Sequence, residues 1–181
     1  GDKASITVTH VNDAPTLDLD GSVAGTSFTA TFRPRGEAVA VVDTDITISD
    51  VDKLATNDVD FITGATVALT AGALDNGRTT YETLTAKTGG STGTAITTYT
   101  GSQGNIITIA GNGTTSITLS GKGTWADYQN ALQTVYYKND NPNATSGDRT
   151  VTVTVIDGAR TVCEVAASRL PSASAATTVK T

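Results

Sequence analysis

Cysteine, histidine and methionine are nearly missing from this chain of 181 residues, which has one Cys, one His and no Met. A lone Cys163 cannot close an internal disulfide, so the fold has to come from buried apolar surface, and a chain of this length can supply enough of it. The single histidine, His10, lies near the start of the sequence, so a Ser-His-Asp triad or a zinc centre would have to be assembled around a terminal segment. Cys163 has only Arg160 and Arg169 near it in sequence and reads as a buried, inert thiol rather than a nucleophile. With five Tyr, three Phe and one Trp, the chain has few aromatic platforms for a sugar-cleaving cleft. No enzymatic activity is expected.

Bases are scarce as well. Twelve Lys and Arg face eighteen Asp and Glu for a net charge of -6, which argues against nucleic acid as a partner. No apolar run approaches the ~20 residues that span a bilayer, and the start lacks the basic and apolar regions of a signal peptide. Direct membrane insertion is therefore not expected, and any export signal would lie outside this stretch. Gly111-Asn112-Gly113 and Gly121-Lys122-Gly123 lack the Walker spacing of a phosphate loop, and no EF-hand loop is present.

What the chain does have is threonine alternating with apolar residues, the period-two pattern of half-buried strands. Ile46–Ile48, Thr66–Leu69, Ile107–Ile109, Ser116–Leu119 and Val151–Val155 are the clearest runs, and Val135–Lys138 is another. Turn signals separate them, among them Asp75-Asn76-Gly77, Gly89-Gly90, Gly111-Asn112-Gly113 and Asp157-Gly158. The fold class expected is all-β, an antiparallel Greek-key β-sandwich. One short helix is expected near residues 124–133. Thr124 is placed to cap it and Asp127 to complete a capping box, while Trp125, Tyr128 and Leu132 recur at helical spacing on a core-facing side.

Strand-like runs also stand at the two ends, Ala4–Thr9 before Val11-Asn12-Asp13-Ala14-Pro15 and Ala175–Thr181 at the close. Their likeness suggests one period of a tandem array. Residues 1–11 then correspond to the last strand of a preceding repeat, and residues 12–181 form a single sandwich.

Acidic residues crowd one stretch, where Asp43, Asp45, Asp50, Asp52, Asp58 and Asp60 are accompanied by Lys53 as the only base. Packed carboxylates repel one another, so they need either water or a cation. Asp43-Thr44-Asp45 and Asp50-Val51-Asp52 are Asp-x-Asp pairs, a spacing that can direct two carboxylates toward one point at a strand end. Irregular loops of this kind suit Ca²⁺, which takes six to eight oxygen ligands in flexible geometry; Mg²⁺ demands a stricter octahedron. The competing reading is a soluble, mutually repelling surface that discourages edge pairing.

Four segments in order carry a family resemblance: Val11–Pro15, Val42–Asp52, Gly123–Leu132 and Asp148–Gly158. Together they look like the cadherin-like repeats of very large bacterial surface proteins and RTX-type adhesins. The resemblance implies an extracellular sandwich in tandem array, stiffened by Ca²⁺ at the junctions between domains. Carried over by position, it points to Asn12 and Asp13 as junction ligands, with Asp50 and Asp52 near the same or the opposite end and Asp157 after the last long strand. A turn-forming role for Asp157-Gly158 is the alternative. The chain departs from the pattern at Phe32-Arg33-Pro34-Arg35-Gly36, where related repeats carry an acid. It departs again at residues 159–174, longer and more apolar than the connection expected.

The function so implied is a non-catalytic repeat of a secreted or cell-surface bacterial adhesin, lending reach and stiffness for cell adhesion or biofilm. Its partners would be neighbouring repeats or copies of itself. Two alternatives stand beside it: a glycan- or peptide-binding adhesin module, with a cell-surface glycan or protein as its partner, and a subunit of an extracellular filament or matrix joined by strand addition between copies.

Overall fold

A computed structural model describes residues 13–50, 61–72, 81–158 and 172–180. The fold is all-β, with one helix among the described residues. A seven-stranded sheet runs in the order β2 (Thr29–Thr31), β13 (Ser172–Lys180), β12 (Arg149–Asp157), β5 (Ile62–Gly72), β10 (Ser116–Gly123), β9 (Ile106–Ala110) and β8 (Thr98–Thr100). A four-stranded sheet runs β3 (Val39–Ala40), β11 (Val135–Asn139), β6 (Glu82–Thr88) and β7 (Thr94–Ala95). β1 (Thr16–Asp18) and β4 (Thr47–Ser49) form a separate antiparallel ribbon.

Threonine alternation places these strands as expected. Val151, Val153 and Val155 of β12, with Ile117 and Leu119 of β10, point into the core, while the intervening threonines face outward or lie half-buried. The opposite sheet contributes Leu84, Ala86, Val135 and Tyr137 to the same core. Each large apolar side chain so buried contributes about 1.5–3 kcal/mol relative to exposure. Neighbours distant in sequence, β12 on β5 and β5 on β10, require the long crossovers of a Greek-key-like sandwich. The pairings are antiparallel with one exception, β13 beside β2, which run parallel. The closing strand expected at 175–181 forms as β13 over 172–180 and pairs along β12 within the chain.

The helix, α1 (Trp125–Leu132), begins where the capping signal placed it. Thr124 Oγ1 accepts from the Asp127 N–H at 3.1 Å, and Asp127 Oδ2 accepts from the Thr124 N–H at 3.0 Å, completing the reciprocal box. Tyr128 and Leu132 are fully buried, and Trp125, half-buried, packs against the core. Asp127 also accepts from the Ser102 N–H at 2.8 Å, an approach for which Gly101 leaves room: a Cβ there would stand 2.5 Å from the carboxyl carbon. Burial works to raise the Asp127 pKa, but the hydrogen bonds from Ser102 and Thr124 together outweigh it and hold the group below the ordinary carboxylate range.

Candidate functional site

The β1–β4 ribbon decides which acids meet. Its register pairs Asp18 with Thr47 and Thr16 with Ser49, so the chain leaving β1 runs beside the chain entering β4. Asp43 N–H donates to the Leu19 carbonyl at 2.9 Å, tying the two segments together. Asp20, Asp43 and Asp45 consequently converge, each offering one oxygen within 4.8 Å of the others. Gly21 permits the approach: its N–H donates to Asp45 Oδ1 at 3.1 Å, and a Cβ there would lie 2.7 Å from the Asp45 carbonyl oxygen.

Local hydrogen bonds orient the three carboxylates. Ser22 Oγ donates to Asp20 Oδ1 at 2.8 Å, and Asp43 Oδ1 accepts from both the N–H and the hydroxyl of Thr44. The loop is anchored from the helix side, where Gln129 Nε2 donates to the Ile46 carbonyl at 2.7 Å and Gln133 Nε2 to that of Thr44 at 2.8 Å. Oxygens bound to one Ca²⁺ at about 2.3–2.6 Å stand up to ~5 Å apart across the ion. Three carboxylate oxygens within 4.8 Å of one another therefore fit a hard cation.

Sequence reasoning singled out Asp43 and Asp45 but missed Asp20. The signal was present: Asp18-Leu19-Asp20 is another Asp-x-Asp pair, followed by glycine, but it lies outside the crowded stretch. Asp50 sits at the other end of β4, next to the Pro15 side of the ribbon. The whole of β4 lies between it and Asp45. Asp13, exposed, precedes β1 at that same end. Asp157 closes β12 beside Ile62 and is buried. The Gly158 N–H donates to the Phe61 carbonyl at 2.9 Å, extending the pairing of β12 with β5. Asn12 and Asp52 lie outside the described residues, as do Asp58, Asp60, His10 and Cys163.

A second polar group, which the sequence did not announce, lies inside the sandwich. Glu82 and Arg149 are both fully buried and form an ion pair from Arg149 Nε to Glu82 Oε1. The same oxygen accepts from the Tyr137 hydroxyl at 3.0 Å and from Asn139 Nδ2 at 3.1 Å. Arg149 also donates to the carbonyls of Gly147 at 2.8 Å and Thr145 at 3.1 Å, latching the loop before β12. Phe32 packs edge-on to Tyr137 with ring centroids 5.0 Å apart. Burial first, and the adjoining Glu82 carboxylate second, push the Tyr137 hydroxyl well above its ordinary range, so it remains a donor.

No protein-family model, curated protein or solved structure matches this chain. What the fold defines is an all-β sandwich with an acidic cluster at one end of its β1–β4 ribbon.

Proposed function

We propose that this chain is a non-catalytic sandwich repeat of a large bacterial surface adhesin, cadherin-like in type, secreted to the cell surface. Its work is to lend reach, with Ca²⁺ stiffening the loops at the domain end. The observation that carries this reading is the convergence of Asp20, Asp43 and Asp45. They are held by a ribbon whose ends also carry Asp13 and Asp50.

Carboxylates gathered without a base need a counter-ion to pack rigidly. When the ion binds, Asp20, Asp43 and Asp45 supply oxygens and the helix-anchored 43–46 loop fixes their spacing. The ion itself would supply charge neutralisation and stiffness.

Differential scanning calorimetry with millimolar CaCl₂ against chelator tests the proposal. Ligand at ~100 times its Kd stabilises by about 2.7 kcal/mol. For a domain of this size that is a Tm rise of about 5–10 °C. An unchanged Tm across that range would remove calcium stiffening from the account.

A further inference from the structure

An open cleft of about 400 Å³ lies over the outer side of the four-stranded sheet, lined by Arg35, Gly36, Glu37, Ala38, Lys87, Ser91, Thr92 and Lys138. Three of the chain's twelve basic residues, Arg35, Lys87 and Lys138, thus line one cleft beside a single acid, Glu37. We infer that this cleft binds a single oxyanion group, a sulfate, phosphate or carboxylate, with the Arg35 guanidinium as its principal donor.

The backbone carries the first part of the argument. Gly36 N–H donates to the Arg33 carbonyl at 2.9 Å, closing a tight turn in which Pro34 and Arg35 are the central residues. Arg35 has φ +58°, the only non-glycine residue with positive φ among the described ones. Pro followed by a left-handed residue is the pattern of a type II turn, whose second central position is best filled by Gly or Asn. Arginine is disfavoured there, so what the position gains from it is the side chain. The turn is itself fixed, because the Arg35 N–H donates to the Asn139 carbonyl at 2.7 Å.

Charge commitments carry the second part. Lys87 Nζ donates to the Ser91 carbonyl at 2.6 Å, bridging the ends of the turn that follows β6. Glu37 Oε2 accepts from Ser91 Oγ at 3.4 Å, and Lys138 Nζ pairs with Asp140 at 2.8 Å. Arg35, exposed at the mouth, makes no side-chain hydrogen bond or ion pair with the described residues, so its planar fork of donors is available. Ser91 and Thr92 also line the cleft. Among the described residues no aromatic side chain lines the cleft, so recognition would come from charge and hydrogen bonds rather than ring stacking. The volume is at the lower end of small-molecule sites, enough for a free anion or a monosaccharide bearing one.

Titration of the ¹⁵N-labelled chain with sodium sulfate, and separately with glucose 6-sulfate, at ionic strength held constant with NaCl, tests the inference by amide chemical shifts. Saturable shifts are expected at Gly36, Ser91, Thr92 and Lys138. Arg35→Gly should weaken binding at least 10-fold while leaving Tm equal to or above that of the parent, since glycine relieves the left-handed turn. Arg35→Gln should weaken it comparably without altering the turn chemistry, and Lys122→Gln, over Phe61 and away from the cleft, should leave it unchanged. Tighter binding of glucose 6-sulfate than of sulfate would assign the site to a sulfated sugar, and equal or weaker binding to the free anion. Shifts reproduced by NaCl alone, or saturation unaffected by both Arg35 substitutions, would overturn the inference.

Discussion

Two groups of carboxylates in this molecule solve the same electrostatic problem in opposite ways. At the end of the β1–β4 ribbon, Asp20, Asp43 and Asp45 converge on hydroxyls and backbone amides, with Asp45 exposed and the other two half-buried. In the core, Glu82 is fully buried and meets a fixed guanidinium, a phenol and an amide on one oxygen. An ion taken out of water loses several kcal/mol of solvation, so the interior group must carry its counter-charge within the fold. The ribbon cluster keeps its access to water, so its counter-charge can come and go. One group is therefore a structural rivet, and the other can respond to the surrounding medium.

The sharpest way to break this contrast is to remove the interior counter-charge. Arg149→Ala leaves Glu82 buried without its partner and frees the 145–147 carbonyls, so equilibrium urea unfolding should show a loss of about 3–5 kcal/mol. Replacing both partners together, Glu82→Leu with Arg149→Met, should cost clearly less than Arg149→Ala alone, because no charge is then left unpaired. If the double substitution proves as damaging as the single, the charge-pair account of this core fails.

For the ribbon cluster the effect should depend on the medium. Asp45→Asn is expected to abolish most of the calcium-induced Tm rise while leaving the Tm in chelator unchanged or slightly higher, through relief of like-charge repulsion. A calcium response as large in Asp45→Asn as in the parent would place the ion elsewhere.

Asp127 stands between the two, buried yet hydrogen-bonded only to neutral donors. Its folded pKa lies below the usual 3.8. The stability it contributes is therefore present above about pH 3.8 and is lost as pH falls toward the folded pKa. Asp127→Ala should cost about 1–2 kcal/mol at pH 7, read from denaturant midpoints, and the gap from the parent should shrink as pH falls below 3.8. The smallest effect expected is that of Thr124→Ser, a change within about 0.5 kcal/mol, because serine preserves the capping oxygen.

How far these groups could be read from the sequence follows from how local their causes are. The Thr124/Asp127 box spans three residues, so its partners are visible together. The acid cluster was half visible: Asp43 and Asp45 lie in one Asp-x-Asp pair, but Asp20 reaches them only because β1 and β4 pair in one register. Asp50, in the middle of the crowded stretch, is carried by that pairing to the opposite end. Glu82 and Arg149 stand 67 residues apart, and although each is in phase with the inward apolar residues of its strand, Leu84 and Ala86 or Val151 and Val153, neither stretch names its partner. β6, which Glu82 opens, was not among the runs singled out.

By itself the sequence determined the all-β class, the inward positions of its Thr-alternating strands and the site and cap of its one described helix. These depend on side-chain period and on hydrogen bonds closed within a single turn. Tertiary structure alone decided that β13 lies parallel to β2, that Asp20 joins Asp43 and Asp45, and that Glu82 meets Arg149. Each of these depends on which distant strands become neighbours, and that is set by the packing of the two sheets on one core rather than by any preference written in a short segment.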